Sequence, residues 1–503
     1  MIRTVRCTTL ALLLATTAGC AVGPDFQRPA TPVTHSYVAG TLPEQTASVS
    51  GLASEAQRFA HGQEVQTQWW KAFGSPELDA LVAAALQANP DLKAAEAALR
   101  AARETAAAQR GAFWPSVDAG VNATRQQTPG PLAGPLVDAN VTLYTLHTAQ
   151  LSIGYVPDVF GGNRRQAEAL SAEVDVQRFQ REAIYTTLVS NVVNAAIEEA
   201  SLRAQIAATH DLIGLATRLL DISHREHQAG QIGGADVAAQ EAALAQAQAA
   251  LPPLEKRLAG QHNQLAVLAG RLPSEQATQH FELASLSLPS ELPVSLPSRL
   301  VEQRPDIRAA EAQLHAASAQ IGVATAARLP NLTLTATLGS SALNVSQLFR
   351  SGSGLWSVGE DLLQPIFQGG TLMHQQRAAE ATYDQAAAQY RSTVLTAFQN
   401  SADALQAIVS DADTLRAASA SDAAAKKSLA MARRQHALGA TTQAEVILAQ
   451  QTCQQTALTF VQAQASRYTN TVALYVALGG WWQEPEATDR QINADHLARP
   501  TGD

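Results

Sequence analysis

Cysteine is nearly missing from this chain: its 503 residues include three. Cys7 and Cys20 fall within and at the end of an N-terminal leader, which leaves Cys453 as the one thiol of the body. No internal disulfide can then form, so a chain of this size has to be held by packing or by assembly. Aromatic residues make up only 5%, while alanine and glutamine abound, a composition suited to long helices in close contact. Long apolar runs are also missing. The run at residues 10–15 is too short to cross a bilayer as a helix, and a mean hydropathy of −0.07 argues against a helical membrane protein. Basic charge is not in excess: the formal charge is −9, with Lys and Arg scattered, so no nucleic-acid partner is expected. A phosphate-cradling loop, a nucleophile elbow and a zinc-protease helix motif are not found either. Neither an enzyme nor a pump driven by its own nucleotide hydrolysis is expected.

What is present begins with an export signal. Arg3 and Arg6 precede the short apolar run and a set of small residues, so residues 1–19 are predicted to be removed on secretion. Thr17-Ala18-Gly19 before Cys20 resembles a bacterial lipobox, with Thr17 where Leu is usual. Cys20 is thus predicted to carry a covalent lipid, with no other cofactor. Residues 20–64, rich in Pro, Gly, Thr and Ser, are read as an extended arm leading from that anchor.

The body is written twice. "NPDLKAAEAALRAARETAAAQRGAFWP" at 89–115 and "RPDIRAAEAQLHAASAQIGVATAARLP" at 304–330 share eleven of twenty-seven positions. "HQAGQIGGADV" (227–237) aligns with "HALGATTQAEV" (436–446), and "LAVLAG" (265–270) with "LYVALG" (474–479). A tandem duplication follows, with a first repeat at 65–283, a second at 284–482 and a tail at 483–503. Pro90 and Pro305 suit the first turn of a helix, with Asp91 and Asp306 well placed beside them. Asn89 is a good cap; Arg304 is not.

Each repeat holds one exceptional helical stretch. Residues 163–229 contain no Pro and a single Gly, and residues 371–438 contain neither. At 1.5 Å per residue each would be on the order of 100 Å long, which points to coiled coils. Leu188, Val192, Ala195, Leu202, Ile206 and Ile213 form one seam, interrupted by Glu199 and Thr209. Val394, Phe398, Leu405, Ile408, Ala412 and Leu415 form the other, with Ser401 in its gap. Gly230 and Gly439 end the stretches, and a returning helix follows each, broken in the first repeat at Pro252-Pro253. Before each long helix lie two strand-like segments. Leu332, Leu334, Ala336 and Leu338 alternate with threonines, and Val117, Ala119, Val121 and Ala123 alternate with polar or small residues. Their partners are expected around 141–156 and 353–364. Strands of this kind suit a transmembrane β-barrel. Four of them cannot close one, and open edges are forbidden in lipid, so homo-oligomerisation is required.

"CAVGPDFQRPATP", "LPSRLVEQRPDIRAAEAQLHAASAQIGVATAARLPNLTL", "PDVFGGNRR" and the two Gly-centred turns resemble the TolC-like outer-membrane factors, in their lipoprotein efflux-channel branch of NodT/OprM type. The resemblance covers about residues 20–482. It implies a mainly α chain with tandem-duplicated long α-hairpins and four β-strands. Four strands from each of three chains would close one barrel above a coiled-coil α-barrel, giving a homotrimer set in outer-membrane lipid. It further implies passive conduction of drugs or other small toxic solutes, received from a periplasmic adaptor protein and an inner-membrane transporter of the RND type. A coiled-coil periplasmic lipoprotein without a pore, serving as adaptor or scaffold, is the alternative. A zinc hydrolase using His224 and His227 is a more distant rival.

The family closes its tunnel where the hairpin tips of three chains converge. By motif position Asp236 and Glu445 are the acidic candidates for that constriction; equally, each could cap its return helix. Leu448 stands in "VILAQ" where members often read "VLDAQ", so part of the closure would be apolar. His227 and His436 precede the two tips at equivalent positions, and a pH-sensitive tip is conceivable. The small residues Gly230, Gly233, Gly234, Gly439, Thr441 and Thr442 would let an adaptor hairpin approach closely. Trp69-Trp70 and Trp481-Trp482, which flank the body, are read as packing residues.

Overall fold

A computed structural model describes residues 21–32, 34, 36–49, 51, 53–127, 143–275 and 280–480. Cys20, Trp481 and Trp482 lie outside the described residues. Among the described residues no helix is long and apolar enough to cross a membrane.

A strand, β1 (Arg58–His61), precedes the first helix, α1 (Pro76–Ala88). Ser75 starts α1 by accepting from the Leu78 N–H at 3.3 Å. That helix buries Leu78, Leu81, Val82 and Ala85, which a 3.6-residue period places on one face. Asn89 then does double duty. It ends α1 and caps α2 (Pro90–Arg110), its Oδ1 accepting from Asp91 at 2.9 Å and Leu92 at 3.2 Å. The chain continues through β2 (Ser116–Gln127), β3 (Leu143–Tyr155) and α3 (Gly162–Gln228), and returns as α4 (Gly234–Ala249) and α5 (Leu251–Leu268). The return is split because Pro252 and Pro253 have no N–H to continue the ladder and are tolerated only in a first turn.

After β4 (Glu291–Val294) and α6 (Pro297–Gln303) the same order recurs. It runs α7 (Pro305–Ala326), β5 (Asn331–Ala342), β6 (Gly354–Leu363), α8 (Thr371–Ala437) and α9 (Gln443–Ala477). With no proline to break it, α9 is continuous. Arg304 precedes α7 as Asn89 precedes α2, but its guanidinium pairs forward with Asp306 (2.7 Å) and donates to the Ala477 carbonyl at 2.8 Å.

The chain divides into two units. One is described over residues 21–29, 98–127, 143–178 and 309–390, and its centre is an antiparallel sheet of order β2-β3-β5-β6. The register sorts its side chains into two faces. Val117, Ile153, Ala336 and Val358 stand in one row, and Ala119, Leu151, Leu338 and Trp356 in the next row on that face. The opposite face carries the row Asp118, Ser152, Thr337 and Ser357 and the row Asn122, Thr148 and Ser341. Thr337 and Ser357 share a hydroxyl hydrogen bond of 2.6 Å, and Thr148 and Ser341 one of 3.3 Å.

A segment near the N-terminus is strapped onto this unit. The Val22 N–H donates to the Phe160 carbonyl at 3.1 Å. Arg165, almost fully buried, donates to the Val22 carbonyl (3.1 Å), Asp25 (2.6 Å) and Glu168 (2.7 Å). Glu168 also faces His315 Nε2 at 2.9 Å, and the His315 ring stacks on Phe26 with centroids 4.4 Å apart. Burial alone would push the Glu168 carboxyl up; hydrogen bonds from Arg165 and His315 outweigh it and hold the group below its usual range.

The other unit, described within residues 30–97, 179–308 and 391–480, is mostly helical. Its core takes the expected seams: Leu188, Val192, Ala195 and Leu202 are buried, as are Val394, Leu405, Ile408, Ala412 and Leu415. The polar interruptions are buried too. Thr209 and Ser401 donate to helix carbonyls at 2.8 and 3.0 Å. Glu199 is 0% exposed and accepts from Arg203 at 2.8 Å. The stretch read as an extended arm contains a strand that the reading did not identify: β1 pairs in parallel with β4, and Arg58 meets Glu291 at 2.6 Å. Just before it, Gln57 donates to Thr471 at 3.1 Å and accepts from buried Arg467 at 3.0 Å.

Candidate functional site

The two helical turns are the places where the chain leaves regular structure with small residues and exposed polar groups, and their backbones close in the same way. At the first, the Gly230 N–H donates to the His227 carbonyl (2.9 Å) and the Gln231 N–H to that of Glu226 (2.9 Å). At the second, Gly439 donates to His436 (2.8 Å) and Ala440 to Gln435 (2.9 Å). Both satisfy the last carbonyls of a long helix by the paired bonds of a Schellman turn. That turn needs a left-handed residue, and Gly230 (φ +74°) and Gly439 (φ +70°) supply it without steric cost.

The side chains do not repeat. His227 Nδ1 donates to the Ile232 carbonyl at 3.0 Å, tying the first turn to itself. Its counterpart His436 makes no such bond and instead lies 3.9 Å from Glu226 across the two hairpins. Asp236 Oδ2 accepts from the Gly233 N–H at 3.1 Å, closing the N-terminus of α4. Glu445 occupies the matching place in the first turn of α9, where Thr442 is the cap, and among the described residues its carboxylate has no hydrogen bond.

Gly230, Gly233, Asp236, His436, Gly439, Thr441 and Thr442 come together around one groove of 810 Å³, joined there by Glu226. Glu445 and Leu448 line a separate depression with Lys427 and Met431. Leu448 is 64% exposed there, a large apolar group left in solvent. A Cβ at Gly234 would come within 3.9 Å of the His227 ring. His224 lies in the last turns of α3, and among the described residues no three His, Cys, Asp or Glu side chains are grouped as a metal site.

Sequence reasoning missed a set of glutamines just behind the turns. Gln443 Nε2 donates to Ser223 Oγ and to Gln240 Oε1, both at 3.0 Å, and Gln240 Nε2 donates to Gln450 Oε1 at 3.4 Å. All four residues are buried. This ladder joins α3, α4 and α9. The available signal was the seven-residue spacing of Gln443 and Gln450, one heptad, which places both on the same side of α9.

Comparison with known proteins places this geometry. A family model described as outer membrane efflux protein matches the chain twice, over residues 81–271 and 296–480. The pyoverdine export outer membrane protein OpmQ of Pseudomonas putida is 32% identical over 444 residues, covering 87% of this chain and 92% of that protein. The outer membrane protein OprJ of Pseudomonas aeruginosa is 30% identical over 480 residues, covering 94% and 96%. Among solved structures, that of the outer-membrane channel OprN superposes with a TM-score of 0.81 at 27% identity, covering 92% of this chain and 100% of that one. The fold expected from the sequence, long duplicated α-hairpins carrying four strands, is the fold of these channels. The chain belongs to the outer membrane efflux protein family, and it is an efflux channel of the outer membrane.

Proposed function

We propose that this channel is a homotrimer that conducts drugs or other small toxic solutes passively, taking them from a periplasmic adaptor and an inner-membrane transporter of the RND type. The observation that carries the trimer is the four-stranded sheet. It has one apolar and one polar face, and its outer strands β2 and β6 each have an edge with no partner strand among the described residues. Bare strand edges cannot stand in lipid, and joining β6 of one chain to β2 of the next around a ring removes them all. A pore-free coiled-coil lipoprotein would have no use for such a sheet. Reconstitution in planar bilayers with the stoichiometry read by native mass spectrometry tests this: a trimer with discrete conductance is expected, and a monomer without conductance sinks the reading.

The tip turns supply the closure. Asp236 is engaged as a helix cap, which leaves the carboxylate of Glu445 and the exposed side chain of Leu448 as the groups free to meet their copies in a ring. Clustered carboxylates favour cations, and apolar contact resists wetting. The groove between the turns, with its glycines and threonines, is the docking surface for the adaptor. Cys20 carries the lipid, an assignment supported by the lipobox and by the strapping of the residues that follow it. Cys20→Ser should abolish incorporation of labelled fatty acid; unchanged labelling would remove the assignment.

A further inference from the structure

The four strands of the sheet contain two basic side chains, Arg125 on β2 and His147 on β3. Both stand on the apolar face. His147 pairs with Ala123, and Arg125 with Thr145 two residues further along, so the two are diagonal neighbours. Such positions lie about 7–8 Å apart, a span that one phosphate group bridges. Neither makes a hydrogen bond or ion pair among the described residues. The polar face has no basic residue in any strand, only Asp118 and Asp361.

Their height on the sheet is informative. The apolar face begins at the helical end with the pair Leu332 and Leu362 and reaches Ala342, the partner of His147. Ten rises of about 3.4 Å make roughly 34 Å along the strand. Strands tilted by about 40–45° turn that into roughly 25 Å, the height of the lipid-facing band of such barrels. Within the band Glu360, near the helical end, is the charged exception. His147 therefore stands at the far edge of the band and Arg125 just beyond it, at the end away from the helices.

We propose that Arg125 and His147 form a binding site for a phosphate group of an outer-leaflet glycolipid of the lipid A class. The helices extend into the periplasm, so the opposite end of the sheet meets the outer leaflet, whose lipids present phosphate at the edge of the hydrocarbon. A guanidinium there donates two parallel bonds to phosphate oxygens, and an imidazole N–H adds a third. The inference rests on the barrel reading above.

Native mass spectrometry of the detergent-solubilised protein titrated with diphosphorylated lipid A tests it, with phosphatidylglycerol and inorganic phosphate as separate arms. The wild type is expected to retain lipid A in preference to phosphatidylglycerol, and inorganic phosphate is expected not to displace it at equal concentration. Arg125→Glu with His147→Glu should lower lipid A retention about tenfold, and Arg125→Lys should keep most of it. Equal retention by the double variant, or equal retention of phosphatidylglycerol, overturns the proposal, as does displacement by inorganic phosphate. Bilayer conductance of the same preparations separates the two readings. If the wild type forms channels and lipid A retention is unaffected by the charge reversal, only the lipid site falls; if no channel forms, the barrel reading falls.

Discussion

The two turns of this chain share a backbone and differ in almost everything attached to it. The first is closed upon itself: His227 reaches its own loop at Ile232, and Asp236 caps the helix that follows. At the second, His436 turns in toward Glu226 of the first hairpin, while the Glu445 carboxylate is without a hydrogen bond among the described residues and Leu448 is exposed. A duplication preserves what the backbone cannot do without, here a left-handed residue after the helix. It leaves the side chains to diverge. The first turn's side chains are engaged with its own backbone, and Glu445 and Leu448 of the second are not.

The comparison can be broken at several levels. The largest effect is expected behind the turns, where the glutamine ladder joins the hairpins. Gln240→Ala removes one hydrogen-bond partner from each of the buried amides of Gln443 and Gln450, and a loss of about 2–3 kcal/mol in denaturant unfolding is expected. No measurable loss would mean that the ladder does not join them. Next come Gly230→Val and Gly439→Val, each forcing a β-branched residue to positive φ at about 1–2 kcal/mol. Equal losses from the two sharpen the claim that the backbones are equivalent, and tolerance at one turn breaks it. Smaller again is the cap: Asp236→Ala should cost about 0.5–1 kcal/mol, while Glu445→Ala should change stability by less than about 0.5 kcal/mol. Single-channel recordings should reverse that order. Glu445→Ala and Leu448→Ala are expected to raise conductance or lower cation preference, with Asp236→Ala closer to wild type. If Asp236→Ala has the larger effect on conductance, the division of labour between the turns is wrong.

Features governed by local chemistry were legible in the sequence. The cap at Asn89, the split at Pro252-Pro253, the ends of both long helices and the two-faced strands follow from rules spanning a few residues. Longer-range features were not. The strand Arg58–His61 is four residues long and exists because β4 lies beside it, so no alternation announces it. The glutamine ladder is invisible for a related reason. A glutamine is polar in any list of residues, and only a second helix with a complementary amide makes its burial affordable. At the site, the residue types were found but their roles were open, because Asp236 and Glu445 look alike until the Gly233 N–H is seen to choose one of them.

The strap over the sheet-bearing unit changes what a lipid on Cys20 would do. Docking begins at Ala21, which fills the space a Cβ on Gly161 would need, so an acyl group on Cys20 would hang on a leash of one residue, about 4 Å. A long free arm would let the body bob and tilt against its anchor. With so short a leash the anchor would not slacken, and a pull on the lipid would pass first into Arg165 and the start of α3. Acylation would then act as a depth stop, pinning the end of the sheet nearest the helices to the inner face of the membrane while solutes pass through.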